Sequence, residues 1–256
     1  MKRYLNPLRK SVVIPFLSLW VLGACSTAQF TLSDHNTHRY EINEEIAPDP
    51  KIESFFQPYK VKFEAEMNKV IGQSALRLTK PGNQPETLLG NFFTDALMAE
   101  GKKLDPAIDF CLATKSGLRV ELPEGDITVG KVFELMPFEN ALSILEVSGE
   151  QVAKIAEFVA FSQGQPVSGM RLVIKDNKAT NITIGGKPLD LKKTYKLLTY
   201  DYLANGGDDS RGLDNPISRK DYPQKVRETL IQHISDLTAA GQAINVKLDG
   251  RVSISK

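Results

Sequence analysis

Three short stretches of this 256-residue chain, residues 114–119, 137–140 and 202–208, concentrate side chains suited to holding a ligand. Between them they offer a cation (Arg119), two aromatic rings (Phe138 and Tyr202), a primary amide (Asn140) and a carboxylate (Asp208). That set matches the parts of a nucleotide. Rings stack on a base, an amide reads a base edge by donating and accepting at once, a carboxylate accepts from ribose hydroxyls, and a guanidinium pairs with phosphate. The adjacent Gly206 and Gly207 let the backbone take conformations closed to other residues, so that a carboxylate placed just after them can be aimed inward. Each residue also has a plainer reading: Phe138 and Tyr202 as core aromatics, Asn140 as a turn former, Asp208 as a loop cap, Arg119 as a surface cation. Cys111 lies in the apolar run 107–113 with no histidine near it in sequence, and reads as a small buried hydrophobe, not a nucleophile.

The elements that must position these loops follow from hydrophobic spacing. Residues 107–113 form a nearly all-apolar run that ends in Thr114-Lys115-Ser116-Gly117, as expected of a central strand opening into a loop. Residues 195–200 read as a strand feeding the glycine-containing loop, and residues 141–147 as an alternating strand after the corner Met136-Pro137-Phe138-Glu139-Asn140. Helical spacing predicts a helix over 86–102, its acidic start Glu86 suiting the positive end of the helix dipole, and a shorter one over 128–135. Ser148 is a predicted N-cap for a third, running through Val152, Ile155, Ala156 and Val159. Residues 49–70 predict a kinked or two-part helix because Pro58 interrupts the pattern. Strands are expected at 70–79, 168–175, 180–184 and 244–254, an edge strand at 38–46, and a last helix over 223–237. Strands and helices intermix without regular alternation. The fold class that follows is α+β (α/β): one domain over residues 40–256 with a mixed β-sheet flanked by helices.

Composition bounds the function classes. A chain that is 41% hydrophobic and 25% charged is an ordinary globular sequence able to bury a core without cross-links. Its formal charge of +1 includes Lys2, Arg3, Arg9 and Lys10 of the leader, so the remainder carries a slight acidic excess and no basic field for nucleic acid. The leader has a basic start, an apolar run over 11–21 and the ending Leu22-Gly23-Ala24-Cys25, the three-part layout of a secretory signal. That ending resembles the bacterial lipoprotein signal motif, which implies a signal peptide over 1–24, lipid on Cys25 and a polar tether over 25–39. Ser26 after the cysteine then points to the outer membrane, facing the periplasm. Asp34-His35-Asn36-Thr37-His38 sits in or beside the tether with only His233 elsewhere, so no metal site is assigned.

Four motifs taken in order carry a resemblance. They are Glu86-Thr87-Leu88-Leu89-Gly90-Asn91-Phe92-Phe93-Thr94-Asp95-Ala96, Ser116-Gly117-Leu118-Arg119, Pro137-Phe138-Glu139-Asn140 and Leu203-Ala204-Asn205-Gly206-Gly207-Asp208. In that order and at those separations they resemble the C-terminal, substrate-binding domain of 5'-nucleotidases, over roughly residues 40–256. The resemblance implies Phe138 and Tyr202 as the stacking aromatics, Asn140 as the base-edge amide, Asp208 as the ribose carboxylate and Arg119 as one of the phosphate-binding arginines. The departures matter too. Thr114-Lys115 stand where the family has an asparagine and a further glycine, Gly82-Asn83-Gln84-Pro85 where it often has more arginines, and Asp209-Ser210 where a glycine and an aromatic are usual. Fewer cations and an extra acid favour a nucleoside or nucleoside monophosphate over a di- or triphosphate.

In two-domain 5'-nucleotidases hydrolysis belongs to an N-terminal metallophosphoesterase domain holding two metals, and this chain has too few histidines to build one. The expectation is therefore the nucleoside-recognising half of a split 5'-nucleotidase, with no catalytic residue and no cofactor in this chain, the divalent metals belonging to a separate metallophosphoesterase chain. Two alternatives stay open: a stand-alone nucleoside- or nucleotide-binding lipoprotein, and a degenerate relative whose pocket binds nothing.

Overall fold

The structure, a computed structural model, describes residues 35–255. The leader, Cys25 and most of the tether lie outside the described residues. Residues 35–49 form no helix or strand. The edge strand expected at 38–46 is replaced by a turn at Asn43, whose side-chain oxygen accepts from the Glu45 N–H at 3.1 Å and whose carbonyl accepts from the Ile46 N–H at 3.2 Å. A short alternating run with no neighbouring strand to pair with has nothing to hold it extended, and the asparagine offers the backbone a local alternative.

Lys51–Lys256 form a compact unit. Helix α1 (Pro50–Met67) enters it and runs through Pro58 as a single element, none of its residues being buried. Water can solvate the carbonyl that the proline leaves unpaired, so the interruption expected there does not occur. Strand β1 (Val70–Ser74) is shorter than expected and pairs antiparallel with β3 (Gly125–Thr128). Helix α2 (Leu88–Leu104) buries Leu89, Phe92, Phe93, Ala96 and Leu97. Each large apolar side chain on that face contributes about 1.5–3 kcal/mol by leaving water. Its cap is Thr87, whose hydroxyl accepts from the Gly90 N–H at 3.1 Å. Glu86, expected to sit inside the helix, lies outside it and accepts from the N–H groups of Asp249 and Gly250 at 2.8 and 2.9 Å.

The central sheet has five strands in the order β10-β4-β9-β2-β5. These are β2 (Phe110–Leu112), β4 (Ala141–Ser148), β5 (Val167–Ser168), β9 (Thr194–Tyr200) and β10 (Ser218–Lys225). Strands β2 and β9 run parallel while the other pairs are antiparallel, so the sheet is mixed. A second sheet is built from β6 (Met170–Lys175), β7 (Lys178–Ile184), β8 (Lys187–Pro188) and β11 (Val252–Ile254). The remaining helices are α3 (Val129–Leu135), α4 (Gly149–Phe161), the single turn α5 (Asp201–Ala204) and α6 (Val226–Ala239). Ser148 caps α4 as expected, in a reciprocal box with Gln151. The strand expected over 244–254 contracts to β11 plus one isolated bridge between Ser74 and Ile244. Helix α6 begins three residues later than expected, because Pro223 belongs to β10. That strand lies at the sheet edge, where a missing N–H costs no ladder bond.

Register brings the three loops to one place. Phe110 is paired with Leu197 and Cys111 with Leu198, so parallel β2 and β9 end side by side. Leu142 is paired with Tyr200, so antiparallel β4 begins where β9 ends. The loops after β2 and β9 and the corner before β4 therefore emerge from the same end of the sheet.

Candidate functional site

At that end lies a cleft of about 230 Å³ lined by Ser116, Gly117, Arg119, Phe138, Asn140, Tyr200, Tyr202 and Asp208. All five residues singled out from the sequence are among them. Ligand sites for drug-sized molecules run to roughly 300–1,000 Å³, so the cleft suits a small ligand or one part of a larger one.

The loop after β9 is shaped by three unusual residues. Gly206 adopts φ +87°. Gly207 lies so close beneath Tyr202 that a Cβ there would meet the ring at 2.4 Å. Asp208 is left-handed at φ 55°, ψ 29°, a conformation that aspartate tolerates better than most residues. One glycine thus supplies backbone freedom and the other supplies space. The Asp208 carboxylate is surrounded by hydroxyl donors: Thr114 and Ser116 both donate to Oδ2, and Tyr202 donates to Oδ1 at 3.2 Å. The Tyr202 hydroxyl in turn accepts from the Asp208 N–H at 3.3 Å.

The loop after β2 is anchored on both sides. Thr114 hydrogen-bonds Tyr200 at 3.2 Å, and Lys115 places its ammonium on the carbonyls of Gln84 (2.7 Å) and Gln163 (3.2 Å). Burial lowers the Lys115 ammonium below its usual range. Tyr200 forms the floor; it is 1% exposed, and burial pushes its hydroxyl up to about 12. Arg119 is exposed, donates to the Ser116 carbonyl at 3.2 Å, and makes no ion pair among the described residues. Its guanidinium keeps most of its five donors for a ligand.

The corner carries Phe138, 39% exposed, and Asn140. Tyr202 is 47% exposed, so the reading of these two rings as core aromatics does not hold. The Asn140 side chain makes no hydrogen bond among the described residues, which leaves its donor and acceptor for a ligand. Cys111, by contrast, is fully buried, and burial pushes its thiol far above its ordinary range, so it is an inert core residue. Among the described residues no group of three or more His, Cys, Asp or Glu side chains could hold a metal ion.

Sequence reasoning missed Ser116, Thr114 and Tyr200 as partners of the site, although the first two stand in a stretch it had marked. Arg227 carried no local signal at all. It is 7% exposed, stacks over the Phe133 ring at 4.0 Å, and reaches the corner from behind.

Comparison with known proteins supplies the family. A profile described as 5'-nucleotidase, C-terminal domain, matches residues 70–214, more than half of the chain. The chain belongs to the 5'-nucleotidase C-terminal domain family. Protein UshA of Escherichia coli (strain K12) is 29% identical over 192 residues, covering 72% of this chain and 34% of that protein. A 5'-nucleotidase of Vibrio parahaemolyticus is also 29% identical over 192 residues, covering 71% of this chain and 33% of that protein. Among solved structures, the 5'-nucleotidase precursor of Thermus thermophilus superposes with a TM-score of 0.69 at 24% identity, covering 81% of this chain and 44% of that one. This likeness establishes the fold as that of a 5'-nucleotidase C-terminal domain, and the cleft lies among loops of the family-matched segment. The chain spans about a third of the curated relatives it matches.

Proposed function

We propose that this chain recognises a nucleoside or nucleoside monophosphate, as the binding half of a 5'-nucleotidase whose phosphate-ester hydrolysis is carried by a separate metallophosphoesterase chain. Family membership supports a nucleotide-related role. The observation that carries the reading is the convergence of Arg119, Phe138, Asn140, Tyr202 and Asp208 on one cleft. Two exposed rings can take a base, the unpaired Asn140 amide its edge, Asp208 the ribose hydroxyls, and Arg119 a single phosphate. One guanidinium beside Asp208 and Asp209 favours low phosphate charge, since a polyphosphate would meet two carboxylates against one cation. The partner follows from the chemistry, because hydrolysis by activated water at two metals needs a ligand set that none of these cleft residues supplies.

The leader and Cys25 support export and lipid anchoring, on a membrane surface facing the periplasm. Among the described residues no helix is long and apolar enough to cross a membrane.

Two experiments test this. Thermal-shift and titration measurements with nucleosides, monophosphates and triphosphates are expected to show binding of the first two and weaker binding of the third. Affinity purification from membranes is expected to bring down a phosphoesterase and metal-dependent 5'-nucleotidase activity. Recovery of the chain alone, without activity but with nucleoside binding, would replace the split enzyme by a stand-alone binding lipoprotein.

A further inference from the structure

We propose that Arg227 is the positioning residue for the corner that carries Phe138 and Asn140, and so sets how well the cleft holds a base. The inference rests on the binding function proposed above. Residues 136–140 belong to no helix or strand, so their carbonyls need partners from elsewhere. Three consecutive residues at the start of α6 supply them. Lys225 donates its ammonium to the Glu139 carbonyl at 2.8 Å, and the Val226 N–H donates to the Asn140 carbonyl at 2.9 Å. Arg227 donates from Nη1 to the Phe138 carbonyl at 3.3 Å and, at a longer 3.5 Å, to that of Met136, while Nη2 pairs with the Glu139 carboxylate.

The guanidinium lies over the Phe133 ring at 4.0 Å, and its Nε is buried without a partner among the described residues. A buried donor left unpaired costs stability, and a fork that accepts this cost while gripping two carbonyls and a carboxylate fixes geometry at the expense of that donor. Lysine has neither the fork nor the flat face, so it cannot reproduce the grip. No contact joins Arg227 to the cleft itself; it acts through the backbone that aims Phe138 and Asn140.

A double-mutant cycle on the full chain tests this, using isothermal titration with adenosine, guanosine, cytidine and uridine, and a melting curve for each variant. Arg227→Lys is expected to weaken the tightest nucleoside by ~10-fold or more. In a Phe138→Ala/Asn140→Ala background the same change is expected to cost less than about twofold, because the groups it positions are gone. The preference for ribo- over deoxyribonucleoside, set by the loop around Asp208, is expected to persist in Arg227→Lys. Glu139→Gln, at an exposed position, loosens the grip without threatening the fold and is expected to weaken binding by about two- to threefold. Equal losses in both backgrounds, or a lower melting temperature with unchanged affinity, would show a merely structural arginine and overturn the inference. Should the unaltered chain bind no nucleoside, the binding function itself falls and the inference with it.

Discussion

At the scale of single residues, the most constrained group is Asp208, held left-handed with both carboxylate oxygens facing hydroxyls from Thr114, Ser116 and Tyr202. A ligand diol has to join or displace these donors, so the acceptor strength of the carboxylate decides the contact. Asp208→Asn is expected to weaken ribonucleoside binding by ~10-fold and deoxyribonucleoside binding by less, measured by titration. Beneath it, Tyr200 gives a pH signature. Its hydroxyl is raised from near 10 to about 12 by burial, so below pH 10 it is protonated in both folded and unfolded chains. Above pH 10 the unfolded chain ionises first, and stability is lost as the pH rises toward 12, by up to roughly 2–3 kcal/mol. Denaturant unfolding of Tyr200→Phe beside the parent at about pH 9 and about pH 11.5 is expected to show a smaller drop for the variant.

At the scale of elements, what could be read from the sequence was whatever buries a periodic face. Helices α2 and α4 and strands β4, β6 and β9 announce themselves because their apolar residues recur at about 3.6 or 2. Strand β10, Ser-Arg-Lys-Asp-Tyr-Pro-Gln-Lys, does not: it is held at the sheet edge by main-chain pairing to β4 with mostly exposed side chains, so it has no hydrophobic pattern to read. The five cleft residues were recognisable from their types and order, but their meeting was not, because it depends on the register of β2, β4 and β9. Arg227 was invisible for the same reason, since its partners lie some ninety residues away. Helix ends give a sharp test. Gly164 follows α4 at φ +97°, where a Cβ would lie 2.1 Å from the Pro85 carbonyl oxygen, next to the carbonyls that Lys115 grips. Gly164→Ala is expected to destabilise by about 2 kcal/mol or more in denaturant unfolding. Phe55→Ser and Phe63→Ser on α1, whose side chains are exposed, are expected to change stability by less than about 0.5 kcal/mol.

At the scale of the whole molecule, the chain closes on itself through Arg251. It takes Asp95 with both nitrogens at 2.7 and 3.0 Å, Asp249 at 3.1 Å and the Val167 carbonyl at 3.0 Å, so the last strand is clasped to α2. Arg251→Met is expected to cost about 2–3 kcal/mol, less than a fully buried pair because Asp95 is partly exposed. The frame that this clasp completes presents one cleft at the end of β2 and β9, and the account stands or falls on what that cleft holds. Isothermal titration of the full chain, purified in mild detergent, with adenosine and its 5'-monophosphate is the direct measurement. Saturable binding that is lost in both Phe138→Ala and Asp208→Asn is the predicted result. No binding of any common nucleoside or monophosphate, or binding that survives both substitutions, would contradict it.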